Sequence, residues 1–412
     1  MKKNGFTLVE LLSIVVILGI IVVVALPQIS GSIGSKKEKQ YNKIVKIVEN
    51  AGKVYLIENV TKDSVSIDIL IKNDYLTSGL KNPINNTPLT GCVKKITSDG
   101  VTKYKYEEED CPINIKEYIE KLYNDESLRE SNGLKKDNTP DANIRYHGSN
   151  PNNYVLFNNE LWRIIGVFGS NVKLVRKDGL GNLSWDTSES SVNSGAGVNE
   201  WSQSDLKNYL NTMYFGGTTV TCYNGENNRT TTCPTNKLDN TSKALIDNHI
   251  WNTGALNYNK LYNSTTNSYD TVEFYKAERG NETGKICTGG DACNDTVERT
   301  TSWTGYIGLL YVTDYAYASS EVDCETNMYK KVSSTYICKN NNWMFKPNTW
   351  YWTLSPRAST SNAYGVWFVF GYDVDGGSAP GAGAVFPTIY LKSNVLIESG
   401  NGKEDTPYQL SL

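Results

Sequence analysis

The feature that most constrains this chain is an apolar run near its beginning. Lys2 and Lys3 precede residues 6–26, in which Glu10 is the single charge. As a helix rising about 1.5 Å per residue, this run would reach about 30 Å, the thickness of a bilayer's hydrocarbon core. The two lysines predict a cytoplasmic N-terminus. The run therefore predicts one membrane-spanning helix.

The residues behind the run distinguish it from an ordinary secretory signal. Such a signal has a shorter apolar core and a small-residue cleavage site after it. Here the run continues into Pro27, Gln28 and a polar, lysine-rich stretch. We therefore expect the span to stay in the mature protein.

Glu10 places a carboxylate inside this apolar span. An unpaired charge there costs about 2.5–3.5 kcal/mol, so an intramembrane carboxylate indicates a function. Cleavage between Gly5 and Phe6 would create an α-amino group within one helical turn of Glu10. On its own chain that amine is too close and poorly aimed, but on a neighbouring chain it could neutralise the carboxylate. This pairing predicts helices packed side by side in a filament.

The sequence GFTLVE at residues 5–10, with the apolar run and Pro27, resembles the processing site of type IV pilins and pseudopilins. That resemblance implies cleavage after Gly5 by a prepilin peptidase, N-methylation of Phe6, and pairing of Glu10 with a neighbouring pilin subunit. Pro27 matches the family's helix-bending proline, since proline removes a backbone donor and kinks a helix. The resemblance implies a cell-membrane protein, N-terminus cytoplasmic, that moves to an extracellular pilus or the cell surface after processing. A plain membrane anchor is the alternative.

Composition limits the remaining partners. The 412 residues carry a net charge of -3, and the one dense basic cluster lies at residues 36–39. This balance argues against nucleic acid as a partner. The 27 tyrosines against 9 phenylalanines predict an extracellular surface that uses tyrosine for packing and contact.

The eight cysteines fall into four successive pairs along the chain. Their even number behind an export segment favours disulfides. Sequential pairing is the simplest of many connectivities, and free thiols are the alternative. Zinc is disfavoured because no Cys-x-x-Cys occurs. The predicted pairs are Cys92/Cys111, Cys222/Cys233, Cys287/Cys293 and Cys324/Cys338.

The rest of the pattern predicts a mixed α+β chain. Apolar residues at spacings of three and four beyond Pro27 predict an amphipathic helix, which would extend a long pilin helix onto a small antiparallel sheet. The predicted strands of this head are Val65–Leu70, Val93–Ile96 and Tyr104–Tyr106. The predicted segments are a leader peptide at 1–5, a transmembrane or filament-core helix at 6–27, a pilin-like head at 28–112, a helix and linker at 113–142, and a ligand-binding domain at 143–412. The polar residues 131–142, with Gly and Pro, are the predicted linker.

Aromatic strands and Asn/Gly loops come after residue 143. The predicted helices are one capped near Ser204 and a shorter one at Ala244–Ile250. The predicted strands are Tyr154–Phe157, Leu161–Phe168, Val172–Val175, Ile307–Val312, Trp350–Leu354, Tyr364–Tyr372 and Thr388–Leu391.

Several motifs of this region resemble those of bacterial surface domains with the C-type-lectin and formylglycine-generating-enzyme-like fold. They include NIRY at 143–146, LWRIIG at 161–166, WTLSPR at 352–357 and PTIYL at 387–391. The resemblance implies a C-type-lectin-like α+β domain. The reactive cysteine pair of the enzymes is missing, because residues 350–412 contain no cysteine. The calcium triplets of sugar-binding lectins are also missing, and residues 373–377 only faintly resemble a calcium loop. We therefore expect no enzymatic activity, no cofactor and no metal.

Residues 355–386 combine large aromatics with Ser, Asn, Gly and Ala, a mixture typical of binding loops. This segment also resembles the variable segment of lectin-fold target proteins of diversity-generating retroelements. In residues 366–370, Val366, Phe368 and Phe370 alternate with Trp367 and Val369. One of these two sets could face the core and the other the solvent, and the sequence leaves open which set is buried. The candidate ligand contacts are Arg357, Asn362, Tyr364, Trp367, Phe370, Tyr372, Asp373, Asp375 and Ser378.

Together these features predict a minor, tip-type pilin-like subunit that displays a lectin-fold adhesin or receptor-binding domain. Its ligand would be a protein or a glycan that the sequence does not identify. The alternatives are a membrane-tethered formylglycine-generating-like enzyme and a pseudopilin of a secretion or DNA-uptake system.

Overall fold

A computed structural model describes the chain from residue 33 to residue 412. The description omits residues 61, 99, 109–110, 189–192, 258–260, 266–267, 280–299, 330–336, 359–363 and 371–372. The predictions that lie outside the described residues are those for Gly5, Phe6, Glu10, Pro27, Cys287, Cys293, Asn362 and Tyr372. Over the described ranges, no helix has the length and apolar character needed to cross a bilayer. The chain divides into two units between Pro112 and Ile113.

The first unit packs one long helix on a small antiparallel sheet. Its elements are α1 (Ile33–Glu58), β1 (Ser64–Ser66), α2 (Ile67–Lys72), β2 (Cys92–Ser98) and β3 (Val101–Glu107), with strand order β1-β2-β3. Spacings of three and four place Val48, Ala51 and Tyr55 on one face of α1, where they are buried with Val93. Gly52 allows this approach, because a Cβ there would lie 2.5 Å from the Val93 side chain.

One predicted strand of this unit is wrong beyond its first two residues. The strand over Val65–Leu70 stops at Ser66, and α2 begins at the next residue. The Ser66 hydroxyl accepts a hydrogen bond from the backbone N–H of Ile69 at 3.3 Å. A serine that satisfies a free amide of the first turn starts a helix, so the N-cap overrides the β-branched composition.

The second unit is also a mixture of helices and strands. Its elements from residue 113 to residue 257 are β4 (Ile113–Asn114), α3 (Ile115–Asn124), α4 (Glu126–Asn132), β5 (Leu134–Lys136), β6 (Ile144–Tyr146), β7 (Tyr154–Phe157), β8 (Glu160–Phe168), β9 (Asn171–Arg176), β10 (Asn182–Leu183), α5 (Asp205–Asn208, continued as a π-helix over Tyr209–Phe215), β11 (Cys222–Tyr223), β12 (Thr230–Thr231), α6 (Asn240–Leu245), β13 (His249–Asn252) and β14 (Leu256–Asn257).

The remaining elements of this unit complete its sheets. They are β15 (Tyr262–Asn263), β16 (Ser268–Asp270), α7 (Thr271–Glu278), β17 (Ser302–Gly305), β18 (Ile307–Gly308), α8 (Val312–Tyr317), α9 (Asp323–Thr326), β19 (Asn327–Tyr329), β20 (Trp350–Ala358), β21 (Gly365–Phe370), β22 (Asp373–Ser378), β23 (Gly383–Ala384), β24 (Thr388–Tyr390), β25 (Leu396–Ser399) and β26 (Tyr408–Ser411).

Two larger sheets organise the second unit. One runs β18-β24-β9-β8-β7-β26-β25-β4, with β6 paired to β8 and β5 paired to β6. The other runs β10-β23-β20-β21-β22, with β14 parallel to β20. Tryptophan provides much of the core. The fully buried tryptophans are Trp162, Trp185, Trp201, Trp251, Trp352 and Trp367.

A buried charge cluster connects β6, β9 and α8. The Arg145 guanidinium donates from Nε to Asp137 Oδ2 at 2.8 Å and from Nη1 to Asp314 Oδ1 at 2.7 Å. Lys173 Nζ contacts Asp314 Oδ2 at 2.5 Å. Burial by itself would raise the pKa of Asp314, but the charges of Lys173 and Arg145 outweigh it and hold that pKa below its usual range. Asp314 is therefore ionised at neutral pH.

This cluster shows that residues 131–142 are not a linker. Their β5 pairs with β6, and Asp137 also accepts hydrogen bonds from the Thr139 hydroxyl and from the Asn143 backbone N–H. Asp137 is 4% exposed. The polar residues of this segment satisfy one another inside the unit instead of remaining in solvent.

Two further elements differ from the predictions. The strand over Ile307–Val312 ends at Gly308, because the Asp314 carboxylate accepts the Tyr311 backbone N–H at 2.9 Å and starts α8. The helix over Ala244–Ile250 lies earlier and ends at Leu245. Residues 249–252 instead form a strand paired with β17.

Disulfides connect predicted neighbours along the chain in both units. The sequential pairing is confirmed for Cys92–Cys111, Cys222–Cys233 and Cys324–Cys338. In the second unit, the Cys222–Cys233 bond closes the hairpin of β11 and β12.

Candidate ligand-binding surface

The candidate ligand contacts lie mainly on the antiparallel strands β20, β21 and β22. In this sheet Trp350 is opposite Phe370, and Trp352 is opposite Phe368. Because residues directly opposite each other point to the same side of a sheet, these four aromatic side chains share one face. We call Trp350, Trp352, Phe368 and Phe370 the aromatic face.

The opposite face of the same strands belongs to the core. Trp367 is fully buried, and its ring centroid lies 5.0 Å from that of Phe274 and 5.4 Å from that of Tyr269. Val369 and Val374 are buried in the same cluster. Trp367 as a ligand contact is therefore wrong, since strand alternation directs it inward.

Exposure increases along the aromatic face. Trp352 is fully buried, and its indole donates to the Leu183 carbonyl at 2.9 Å. Trp350 and Phe368 are half-buried, with ring centroids 5.4 Å apart. Phe370 is 38% exposed. The face thus joins a rigid buried base to an accessible aromatic edge, an arrangement suited to contact with a partner.

Glycines next to this face provide room for its rings. A Cβ at Gly383 would lie 2.6 Å from the Trp350 ring, and one at Gly377 would lie 2.9 Å from the Phe368 ring. Contacts that short force a neighbour to move. These two glycines of the segment therefore serve ring packing, a role that the composition does not reveal.

The other predicted contacts are dispersed around the aromatic face. Arg357 and Tyr364 are half-buried, and Ser378 is exposed. Asp375 is half-buried, and its carboxylate accepts the Gly376 backbone N–H at 2.8 Å. Asp373 is opposite Phe370 in the register of β21 and β22.

The sequence reasoning missed a contribution from the hairpin of β11 and β12. Ser378 lines an open depression of about 460 Å³ together with Asn224, Glu226 and Arg229 of that hairpin. Glu226 and Arg229 are exposed, so each sign of charge is available to a partner. The Cys222/Cys233 pair was the available signal, because it marks a closed loop, but nothing in the sequence places that loop beside Ser378.

Metal-ligating side chains are dispersed over the described positions. Within those ranges, no three His, Cys, Asp or Glu residues come together in a way that could hold a metal ion.

Comparison with known proteins identifies the N-terminus. Residues 1–26 match the model of the prokaryotic N-terminal methylation motif. No curated protein and no solved structure shows significant similarity to the chain. The match confirms the predicted pilin-type N-terminus and supports a type IV pilin-like or pseudopilin protein. It implies anchoring in the membrane, processing by prepilin peptidase and assembly with pilins.

Proposed function

We propose that this chain is a minor, tip-type pilin-like subunit that displays its second unit as an adhesin or receptor-binding module. The observation that carries the proposal is the aromatic face, on which the exposed Phe370 lies opposite Trp350 and shares one side of the sheet with the buried Trp352. The N-terminal methylation motif at residues 1–26 supports the display of this unit at the cell surface. The partner is a protein or a glycan.

The size of the second unit supports a tip position. Residues 113–412 make up most of the chain. A subunit repeated along a filament would have to fit this whole unit between its neighbours. At a tip the unit has no such constraint.

The proposal includes a lectin-like framework with an exchangeable surface. Strands β20 and β24, which carry the WTLSPR and PTIYL motifs, flank the candidate contacts. Exposed side chains that vary between these strands would change the partner and leave the buried framework, which includes Trp367, intact.

A pseudopilin role shares the same N-terminal motif. Gene neighbourhood separates the two roles, because a pilus assembly ATPase with a prepilin peptidase supports a pilus. A neighbouring reverse transcriptase would support the exchangeable surface.

Phe370→Ala should weaken binding by about 30-fold or more, since an exposed aromatic that anchors an interface commonly contributes about 2 kcal/mol. The measurement is binding of cells that display the full chain to a glycan array and to immobilised extracellular-matrix proteins. Leu128→Ala is the matched control, because Leu128 of α4 is also 38% exposed. Equal losses in both variants, or undiminished binding by Phe370→Ala, would place the recognition surface elsewhere.

A further inference from the structure

A pocket of about 170 Å³ lies in the second unit, apart from the aromatic face. It is formed by β8, β9, β20, the segment 343–346 and Phe386. Tyr351 lines it and is adjacent in β20 to Trp350 and Trp352, so it points to the other side of the sheet. The pocket is therefore separate from the proposed adhesin surface and does not depend on that proposal.

Apolar and aromatic side chains form much of the lining. The rings of Tyr351 and Phe386 meet edge to face with centroids 5.2 Å apart. The Tyr351 hydroxyl donates to the Met344 carbonyl at 3.0 Å, and the Trp343 indole donates to the Tyr146 carbonyl at 2.8 Å. These bonds fix the walls before any ligand enters.

Two cations of the lining lack an ion-pair partner among the described residues, although a carboxylate acts on each from a distance. Arg163 is 7% exposed and donates to neutral acceptors, to Asn153 Oδ1 at 2.7 Å and to the Pro151 carbonyl at 3.3 Å. Lys346 donates from Nζ to the Lys177 carbonyl at 2.9 Å and lies 4.7 Å from the Phe386 ring centroid. Among the residues that the structure describes, neither cation forms an ion pair.

The other two cations of the lining are neutralised. Arg176 pairs with Glu160 at 2.7 Å, and Lys177 pairs with Glu404. From a distance, Glu404 attracts Arg163 and the exposed Asp178 attracts Lys346, whereas Arg163 and Lys177 repel the charge of Lys346. Burial lowers the pKa of Arg163 to about 10 and also lowers the pKa of Lys346. At neutral pH the pocket keeps an excess of positive charge.

We propose that this pocket binds a small organic carboxylate, an aromatic or branched aliphatic acid about the size of benzoate. The carboxylate would supply the direct ion pair that the buried Arg163 and the half-buried Lys346 lack, because a charge removed from water is costly until it is paired. The apolar part would lie against Tyr351, Phe386 and Met344. The volume fits, since a protein cavity of about 150 Å³ accepts benzene.

The test uses the full chain in neutral detergent, labelled with ¹³C at the methionine methyl groups. Met344 lines the pocket, whereas Met213 and Met328 do not, so they serve as internal controls. Benzoate should shift the Met344 signal saturably and leave the other two unchanged. Benzamide, the neutral analogue, should bind at least about tenfold more weakly, since charge-assisted bonds are lost.

Lys346→Met should weaken benzoate binding at least about tenfold, and Lys392→Met should not, because Lys392 is exposed and outside the pocket. If Lys346→Met does not fold, the comparison of benzoate with benzamide on the unaltered chain still tests the proposal. Benzoate that leaves Met344 unshifted, or equal binding of benzamide, would overturn the proposal. Equally tight binding of inorganic phosphate would show an unspecific anion site and would overturn it as well.

Discussion

Trp367→Ala should lower the free energy of unfolding of the second unit by about 3–5 kcal/mol, as expected for a large aromatic removed from a core. Trp367 is fully buried against Phe274 and Tyr269, and a cavity would remain between these rings. Tryptophan fluorescence during urea unfolding measures this unit alone, because all 9 tryptophans come after residue 112.

The control for this prediction is Phe370→Ala in the same strand. Phe370 is 38% exposed, so its loss should cost less than about 1 kcal/mol. The two variants separate a core residue from a surface residue three positions apart. A Trp367→Ala protein as stable as the unaltered chain would show that the face assignment of β21 is inverted.

Asp314→Ala should destabilise the same unit by about 3–5 kcal/mol, because it leaves the buried Lys173 without its ion-pair partner and leaves the buried Arg145 with Asp137 alone. Asp314 is 1% exposed and contacts both Lys173 and Arg145. Burial lowers the pKa of Lys173 to about 8, so its ammonium is still charged at neutral pH. The measurement is again urea unfolding followed by tryptophan fluorescence.

A solvent-exposed ion pair of the same unit provides the control for the Asp314→Ala prediction. Glu120 pairs with Lys116 at 2.8 Å, but their side chains are 38% and 30% exposed. Glu120→Ala should therefore change stability by less than about 1 kcal/mol. Comparable effects of Glu120→Ala and Asp314→Ala would contradict the view that the charge cluster stabilises the second unit.

Local patterns in the sequence predicted many elements of the fold. The strand Tyr154–Phe157 has the predicted limits, and the predicted cap at Ser204 accepts the Lys207 backbone N–H at 3.2 Å. Both depend on residues that are close in sequence. Residues 131–142 could not be predicted in the same way, because Asp137 is buried by Arg145 and its distant partner Asp314.

The sequence predicted which segment carries the candidate site, but not which of its side chains are exposed. Alternation within residues 366–370 indicates two faces, and only the packing of Trp367 on Phe274 decides which is buried. The tertiary fold brings the hairpin containing Arg229 beside Ser378, and the spacing of residues in the sequence does not indicate this proximity. The second pocket likewise joins Arg163 to Lys346 from distant segments.

Mass spectrometry of the protein sheared from the cell surface tests the central claim, that this chain is a processed pilin-like subunit. The motif at residues 1–26 predicts cleavage after Gly5, and we propose that the new amine then neutralises Glu10 of a neighbouring subunit. The mature chain should begin at Phe6 and carry an N-methyl group there. Surface protein that still begins at Met1 would contradict the account.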